Sequence, residues 1–599
     1  MNIDIVYNGK FFGYTSDPEK FLEDIKEKRR SGKLHMETSI RYDKILNTIF
    51  LTSDSGRVLR PLIIVKDGKS LLFPEHIKKL ENGELVWDDL IKENIVEYVD
   101  AAEEDNLLVA MTEEEMTKDH THLEIDGISS FGVIMSLIPY ANHDHSSRLN
   151  KVGRAQKQAL GLYSANYLDL IDTDVSILHY PQKPIVKSII YDTLNTYPAG
   201  QNMVVAIMPY RGYNMSDAIV LNKGSVQRGL GRSSYFRPYT ATELHYTGKL
   251  KDDIVIPQKD VGRYRTEKMY RFLEEDGVVY PEAELNEEDV VIGKVSPPKF
   301  LLEMEEISLA KSKKDNSVTI RQNEKGIIDA VFTTVDSDGK KIVQVRTRDN
   351  RLPEIGDKFA SPHGQKGVLG LIAPEEDLPF TAKGVKPDLI FNPHGIPSRL
   401  TVGYLIELLA GKVSCLTGKE IDATAFGDHN IKDLEKTLKD LGFRQDGKET
   451  LYDGLTGKPI EAKIYIGNVY YLKLKYMVAN KIQTRASGKV TLLTRQPVEG
   501  RAKGGGLKLG EMEKDALVAH GASLLLKERF SADNVVVHVC PECGAMGIKD
   551  TLHKKEYCPI CGHQKLEPVE ISYASKLLME ELMSMHIFPQ MILRNKYEA

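Results

Sequence analysis

Two Cys-x-x-Cys pairs near the end of the chain constrain it more than any other feature. Cys540-Pro541-Glu542-Cys543-Gly544 and Cys558-Pro559-Ile560-Cys561-Gly562 are separated by fourteen residues, enough for a short hairpin. A tight turn lets each pair aim two thiolates at one ion. The glycine that follows each pair admits the turn and frees backbone N–H groups to face sulfur. A closed tetrahedral Zn2+ site of Cys540, Cys543, Cys558 and Cys561 holds a fold and does no chemistry. Free thiols or a redox pair are the alternative. His553 and His563 could also serve as ligands, but four well-placed thiolates make that unnecessary.

The chain is long, at 599 residues. That exceeds the size at which one core keeps growing, so roughly four or five domains are expected. A hydrophobic content of 41% and a charged content of 28% fit an ordinary soluble globular protein. No apolar run is long enough to span a bilayer, and Met1-Asn2-Ile3-Asp4 opens no basic, apolar signal pattern. A cytoplasmic protein without a membrane partner is expected. The cysteines number five and are clustered, with Cys415 alone, which suits a reducing compartment. A net charge of −6 argues against a simple nucleic-acid coat but permits local basic patches.

Local patterns sketch the organisation. Ile3-Asp4-Ile5-Val6-Tyr7 reads as a strand and Asn8-Gly9 as a turn. Asp17 and Pro18 open a helix with an apolar stripe of Phe21, Leu22 and Ile25, which Gly32 can end. Pro61 to Val65 reads as a short buried strand, and Asp336-Ser337-Asp338-Gly339 before Val343 to Arg346 as a hairpin. Residues 119–230 and 351–475 hold His, Asn, Gly and Arg in irregular loops, where function concentrates. Residues 231–350 between them look like a β-rich insertion, and 509–529 carry helical spacing.

Several segments are suited to phosphate. From Lys473 to Lys508 basic residues recur, Arg485, Arg495 and Arg501 among them, with Glu499 the one acid. A solvated basic surface is the alternative. Gly356 to Gly367 sets Lys358 and Lys366 eight apart, on one side if the segment is extended. Its glycine–lysine spacing is not that of a Walker loop, and a surface turn is the alternative. Asn392-Pro393-His394-Gly395-Ile396-Pro397-Ser398-Arg399 is stiffened by two prolines and offers a guanidinium fork. In Asn142 to Arg148, Arg148 is a better phosphate contact than His143 and His145 are a metal pair. Gly212 to Ala218 offers one carboxylate, Asp217, which alone reads as a cap or turn residue.

Taken in order, these segments resemble the second-largest, beta-type subunit of multisubunit RNA polymerases, in archaeal style. The resemblance runs over nearly the whole chain. It is carried by Asn142 to Gly161, Gly200 to Arg232, Gly356 to Gly367, Pro387 to Thr401 and Leu493 to Glu513, with the cysteine module following. It implies a multidomain, mixed α+β and β fold: a double-psi-beta-barrel-like hybrid-binding core, an inserted β-rich wall and a C-terminal zinc-binding clamp module. The implied domains are an external α/β domain (1–118), the hybrid-binding domain in two parts (119–230 and 351–475), a wall or flap (231–350), an anchor or switch region (476–528) and the clamp module (529–599). The family's full-length subunit has large lobes before the region where this chain starts. The resemblance therefore implies the C-terminal polypeptide of a split subunit.

Roles follow from the resemblance. Arg148 and Arg399 match contacts to the incoming nucleotide's phosphates, and Lys358 and Lys366 match lysines beside the RNA 3′ end. Lys157 and Gln158 match residues near the RNA. Asp217 matches a carboxylate near the second Mg2+, although Ser216 stands where the family often has an acid. Arg485, Arg495 and Arg501 fall where the hybrid and downstream template are held. The chain has no Asp-x-Asp-x-Asp triplet, and the family's magnesium-holding aspartates belong to the largest subunit. The implied partners are that subunit, a separate N-terminal half, smaller polymerase subunits, DNA template, RNA product and nucleoside triphosphates. Two rival readings are a non-catalytic zinc-ribbon transcription factor that binds nucleic acid, and a self-sufficient metal-dependent hydrolase.

Overall fold

Ile3 and Ile5, on one side of the strand with Asp4 exposed on the other, lay down the first strand, Ile3–Tyr7, with both isoleucines buried. In its sheet the order is Lys10–Thr15, Ile3–Tyr7, Thr48–Thr52, Ser39–Asp43. Helix Pro18–Arg30 is N-capped by the Asp17 side chain and packs Phe21, Leu22 and Ile25 onto Ile3, Ile5 and Ile49. Strand Leu59–Lys66 then pairs antiparallel with Val96–Asp100.

The computed structural model describes residues 3–246, 250–297, 313–427, 430–550, 553, 555–562 and 564–594. His563 lies outside them. The chain forms two compact units. One comprises Met1–Ala165, Ser176–Ser233 and Arg351–Met477; the other comprises Asn166–Val175, Ser234–Asn350 and Val478–Ala599. Among the described residues no helix is long and apolar enough to cross a membrane.

The first unit is organised by helix α1 (Ser146–Gln156), strands β1 (Gln201–Ile207), β2 (Ala218–Asn222), β3 (Lys358–Ala360), β4 (Lys366–Ala373) and β5 (Leu389–Phe391), helix α2 (Val402–Thr417) and strand β6 (Pro459–Lys473). β1 runs parallel to β5, β5 antiparallel to β2, and β2 parallel to β4. β4, β3 and β6 follow antiparallel, and β6 returns antiparallel to β1. The six strands therefore close a ring, which removes unpaired edges. Val205, Ile219, Phe359, Leu389 and Val469 fill its core together with Tyr404 of α2.

Helix α2 lies against β6 at a pair of glycines. A Cβ on Gly411 would sit 2.2 Å from the Asn468 carbonyl oxygen, and one on Gly467 would sit 2.2 Å from that of Leu408. Side chains at either position would force the helix off the strand.

In the second unit a sheet runs Ser233–Thr242, Lys341–Arg351, Gly326–Val335, Glu284–Leu285. The hairpin expected around Asp336 to Gly339 is present, and the Gly339 N–H donates to Asp336 O at 2.9 Å. The helical spacing over 509–529 resolves into two helices, Glu511–His520 and Ser523–Phe530, parted at Gly521 with φ +78°. Strand Asn534–Val539 pairs antiparallel with Glu567–Ser572, and helix Tyr573–Ser584 follows, capped by the Ser572 hydroxyl.

Candidate anion-binding site and metal centre

Arg148 occupies the first turn of α1, whose other face buries Leu149, Val152 and Ala155. Lys157 closes the same helix and is exposed, and the Gln158 carbonyl accepts from the Lys475 N–H at 2.9 Å. Nine residues along an α-helix separate Arg148 from Lys157 by about 14 Å.

Lys358 and Lys366 sit at the starts of β3 and β4, which form a hairpin and not the continuous extended segment considered from the sequence. The two lysines still share a face, for a different reason. Ala360 is two residues from Lys358 and pairs directly with Lys366. Lys366 is exposed and Lys358 half-buried, with its ammonium 5.5 Å from the Tyr476 ring centroid.

β2 begins next to β4, and the Val368 N–H donates to the Asp217 carbonyl at 3.1 Å. Buried Asn214 shapes the preceding turn, accepting from the Tyr210 N–H at 2.9 Å and donating to Met208 O at 2.8 Å. Ser216 and Asp217 both take left-handed backbone, φ 51° and 66°, which is costly for residues with a Cβ. This turn delivers the Asp217 carboxylate to Arg399, with which it is ion-paired.

Arg399 follows the short turn Pro393–Gly395, which the Asn392 side chain caps. Its second nitrogen donates to Gln365 Oε1 at 2.6 Å. Gln365, fully buried between the lysines of the hairpin, donates in turn to Thr401 Oγ1 at 2.7 Å and Gly395 O at 3.1 Å. His394 is exposed and bonded to Asn392, so its position is structural.

Burial lowers the pKa of Arg148, the Arg399 guanidinium lowers it further, and Asp217 acts in the opposite direction. Two guanidinium groups thus lie close enough to repel, and one carboxylate, ion-paired with Arg399, offsets part of their charge. Such a surplus of fixed positive charge is complementary to a polyanion.

Beneath these cations lies a cluster that the sequence reading missed. His363 is fully buried; its Nδ1 meets Asp144 Oδ2 at 2.5 Å and its Nε2 meets Glu407 Oε2 at 2.5 Å. Burial pulls the imidazole down, and the two carboxylates more than offset this, raising it to about 10. The partners are 219 and 44 residues away in sequence, and no local pattern signals such a triad.

The basic stretch divides between the two units. Lys473 is buried and is no part of a surface band: its ammonium donates to Gly231 O at 2.9 Å, and burial pulls it down to about 8. In the other unit, Arg485 donates to Gly504 O at 2.6 Å. Arg501 donates to Ile482 O at 2.7 Å and Ala479 O at 2.9 Å. Arg495 lies 4.3 Å from the Tyr573 ring centroid.

The sulfurs of Cys540, Cys543, Cys558 and Cys561 lie within 4.8 Å of one another. The separations of 3.5 Å (Cys540–Cys561) and 3.4 Å (Cys543–Cys558) approach the edge of about 3.8 Å that a tetrahedron of Zn–S bonds requires. Gly544 and Gly562 take φ 69° and 71° and donate to Cys540 O and Cys558 O, each at 3.0 Å, so the knuckles match. The donor set fits zinc. His553 is exposed and bonded to Asp550 at 2.6 Å. Among the described residues, these cysteines are the one group of three or more His, Cys, Asp or Glu side chains placed to share an ion.

The family description RNA polymerase Rpb2, domain 6, matches residues 134–503. This chain belongs to the RNA polymerase Rpb2 family. Domains 4, 5 and 7 of Rpb2 match residues 5–66, 87–129 and 505–594. The cationic cluster falls in the Rpb2 domain 6 stretch and the cysteines in domain 7. DNA-directed RNA polymerase subunit Rpo2 of Sulfolobus acidocaldarius is 46% identical over 99% of this chain and 53% of the relative. Rpo2 of Saccharolobus solfataricus has the same identity and coverage. DNA-directed RNA polymerase II subunit RPB2 of Encephalitozoon cuniculi is 40% identical over 98% of this chain and 52% of that protein. The chain thus spans about half the length of these Rpb2-family relatives.

Proposed function

We propose that this chain is a working part of a DNA-directed RNA polymerase, a nucleotidyltransferase active only as a multisubunit complex. In it the chain grips the nucleotide's phosphates and the RNA–DNA hybrid. The observation that carries this reading is the convergence of Arg148, Arg399 and Asp217 beside the Lys358–Lys366 hairpin. The six-strand ring would be the double-psi-type hybrid-binding core, formed by 119–230 and 351–475. Residues 1–118 would be the external domain, 231–350 the wall, 476–528 the anchor and 529–599 the clamp module.

In RNA extension a 3′-hydroxyl attacks the α-phosphate in line and pyrophosphate leaves. Magnesium, which aspartates of the largest subunit would hold, would supply activation of the nucleophile and charge for the leaving group. Arg148 and Arg399 would hold the triphosphate oxygens and neutralise charge as it moves onto the leaving group. Lys358 and Lys366 would orient the RNA end and the nucleotide. The half-exposed Asp217 carboxylate would release Arg399 towards phosphate and reach the second magnesium through water. Lys157, Gln158, Arg485, Arg495 and Arg501 would face the nucleic acid, with the arginines also bracing their own loops. The largest subunit and smaller subunits would complete the enzyme. Zinc on the four cysteines would hold the clamp module together.

Arg399→Ala tests this in the reconstituted polymerase. Removing one preorganised charge-stabilising donor costs roughly 100-fold in comparable sites. Nucleotide incorporation should fall by that order, with template affinity little changed. Equal losses in both would remove Arg399 from the phosphate site.

A further inference from the structure

Three segments carry the cations of the proposed phosphate site, and each also contributes one member of the buried triad. Asp144 precedes Arg148 on the approach to α1. His363 lies in the turn between Lys358 and Lys366. Glu407 projects from α2, the helix entered directly from Arg399 and Thr401. We infer that Asp144, His363 and Glu407 are positioning residues that set the relative placement of Arg148, the Lys358–Lys366 hairpin and Arg399. The inference rests on the phosphate-site reading above.

The geometry supports alignment and not mere filling. Each carboxylate uses its second oxygen on backbone: Asp144 Oδ1 accepts from the Gly403 N–H at 2.9 Å, and Glu407 Oε1 accepts from the Tyr470 N–H at 2.9 Å. Asp144 thereby joins the start of α1 to the start of α2, and it also bridges to Thr401 in backbone pairing. Glu407 joins α2 to β6. The imidazole between them stands edge-on to buried Tyr404, centroids 5.9 Å apart, so its ring plane is fixed. Next to it, a Cβ on Gly364 would sit 3.0 Å from the Arg148 carbonyl oxygen, so the hairpin turn lies directly against the Arg148 backbone. Gln365 then carries the alignment outward to Arg399. None of the three triad side chains reaches solvent: Asp144 and His363 are fully buried and Glu407 retains 2% exposure. They cannot touch a substrate, so any effect on catalysis must pass through the residues they place. A misplacement of about 1 Å at a reacting group can cost on the order of 100-fold.

The test uses polymerase reconstituted with all its subunits, carrying Glu407→Gln, Asp144→Asn, His363→Gln or, as a reference, Arg399→Ala. The two amide variants keep shape and can keep every hydrogen bond while removing one charge. His363→Gln cannot span both carboxylates. KM for the four nucleotides, kcat and template affinity are measured for each. The expected result is a graded rise in nucleotide KM, about threefold for the amides and tenfold or more for His363→Gln, with template affinity and subunit assembly unchanged. A nucleotide KM that stays at the parental value in assembled Glu407→Gln and Asp144→Asn enzymes, while Arg399→Ala loses incorporation, overturns the inference and leaves the phosphate-site reading standing. Parental nucleotide kinetics in Arg399→Ala overturn both. If His363→Gln does not assemble, the amide variants decide. If none of the three assembles, the triad is a folding element and the inference fails.

Discussion

Glu97 is a buried carboxylate held under two arginines and a histidine. Arg29 reaches it at 3.1 Å, Arg30 at 2.8 Å and His122 at 2.7 Å, and Arg29 is shared with buried Glu103 at 2.8 Å. Burial alone would raise its pKa; His122, Arg30 and Arg29 outweigh burial and hold it far below the ordinary value of 4.5. The unfolded chain therefore binds the proton more readily. The stabilisation is complete above about pH 4.5 and is lost as pH falls towards the folded value. His363 acts in the opposite sense. Its pKa is raised from 6.5 to about 10, so its contribution is complete below pH 6.5 and fades as pH rises through 10. Hydrogen exchange over strand Val96–Asp100 between pH 6 and 3 should show protection falling with acid. Glu97→Gln should start about 3–5 kcal/mol less stable, because it breaks a buried network from one side, and should flatten that acid dependence. An acid slope equally steep in Glu97→Gln would assign the transition to other carboxylates.

The contact of helix α2 with strand β6 joins a buried core to the Arg399 segment. At Gly411 and Gly467 the atoms that an added methyl would meet are backbone carbonyl oxygens, which cannot swing aside. Gly411→Ala or Gly467→Ala should destabilise the chain by about 1–3 kcal/mol or more, as overpacking does, read as a lower denaturation midpoint. A midpoint within error of the parent would mean that helix and strand are free to separate at this crossing. Elements like these were legible in the sequence only where the determinant is local. Asp17-Pro18 opens its helix, Ile3 to Tyr7 forms its strand, and Asp336 to Gly339 turns its hairpin, because each is decided by neighbours in the chain. For the Lys358–Lys366 segment both an extended run and a turn are compatible with the sequence; Ser361, Pro362 and Gly364 all favour the turn that forms, and the pairing of its two flanking strands decides between them. The helical spacing over 509–529 is interrupted at Gly521, whose left-handed backbone ends the first helix. The closing of the ring has no local signal, and only the resemblance implied a barrel-like core. Its β6–β1 pairing joins Tyr471 to Gln201, and nothing near either residue names the other.

On the scale of the whole chain, two kinds of site differ in how far the sequence exposes them. The cysteines are close in sequence, and their spacing is the geometry. Arg148, Asp217, Lys358, Lys366 and Arg399 are scattered, and only the resemblance to a polymerase subunit gathered them, while the triad beneath them escaped because its members look like ordinary polar residues. The two units also differ in what holds them. The ring has an extensive apolar core of its own. The module around the cysteines buries little beyond Val537, Val539, Ala545 and Leu566, too small a core to order the segment without help. Ligation of a structural zinc supplies roughly 10–16 kcal/mol in comparable small modules. Metal removal should therefore act locally. In hydrogen-exchange mass spectrometry of the full chain, a strong chelator should release one zinc ion and strip protection from 534–550 and 555–572. Cys540→Ser should do the same without chelator. Ring strands Gln201–Ile207 and Pro459–Lys473, which belong to the other unit, should keep their protection. Protected amides in 534–550 after complete zinc loss would mean that the knuckles fold on hydrogen bonds alone, and lost protection in the ring strands would mean that the two units do not fold independently.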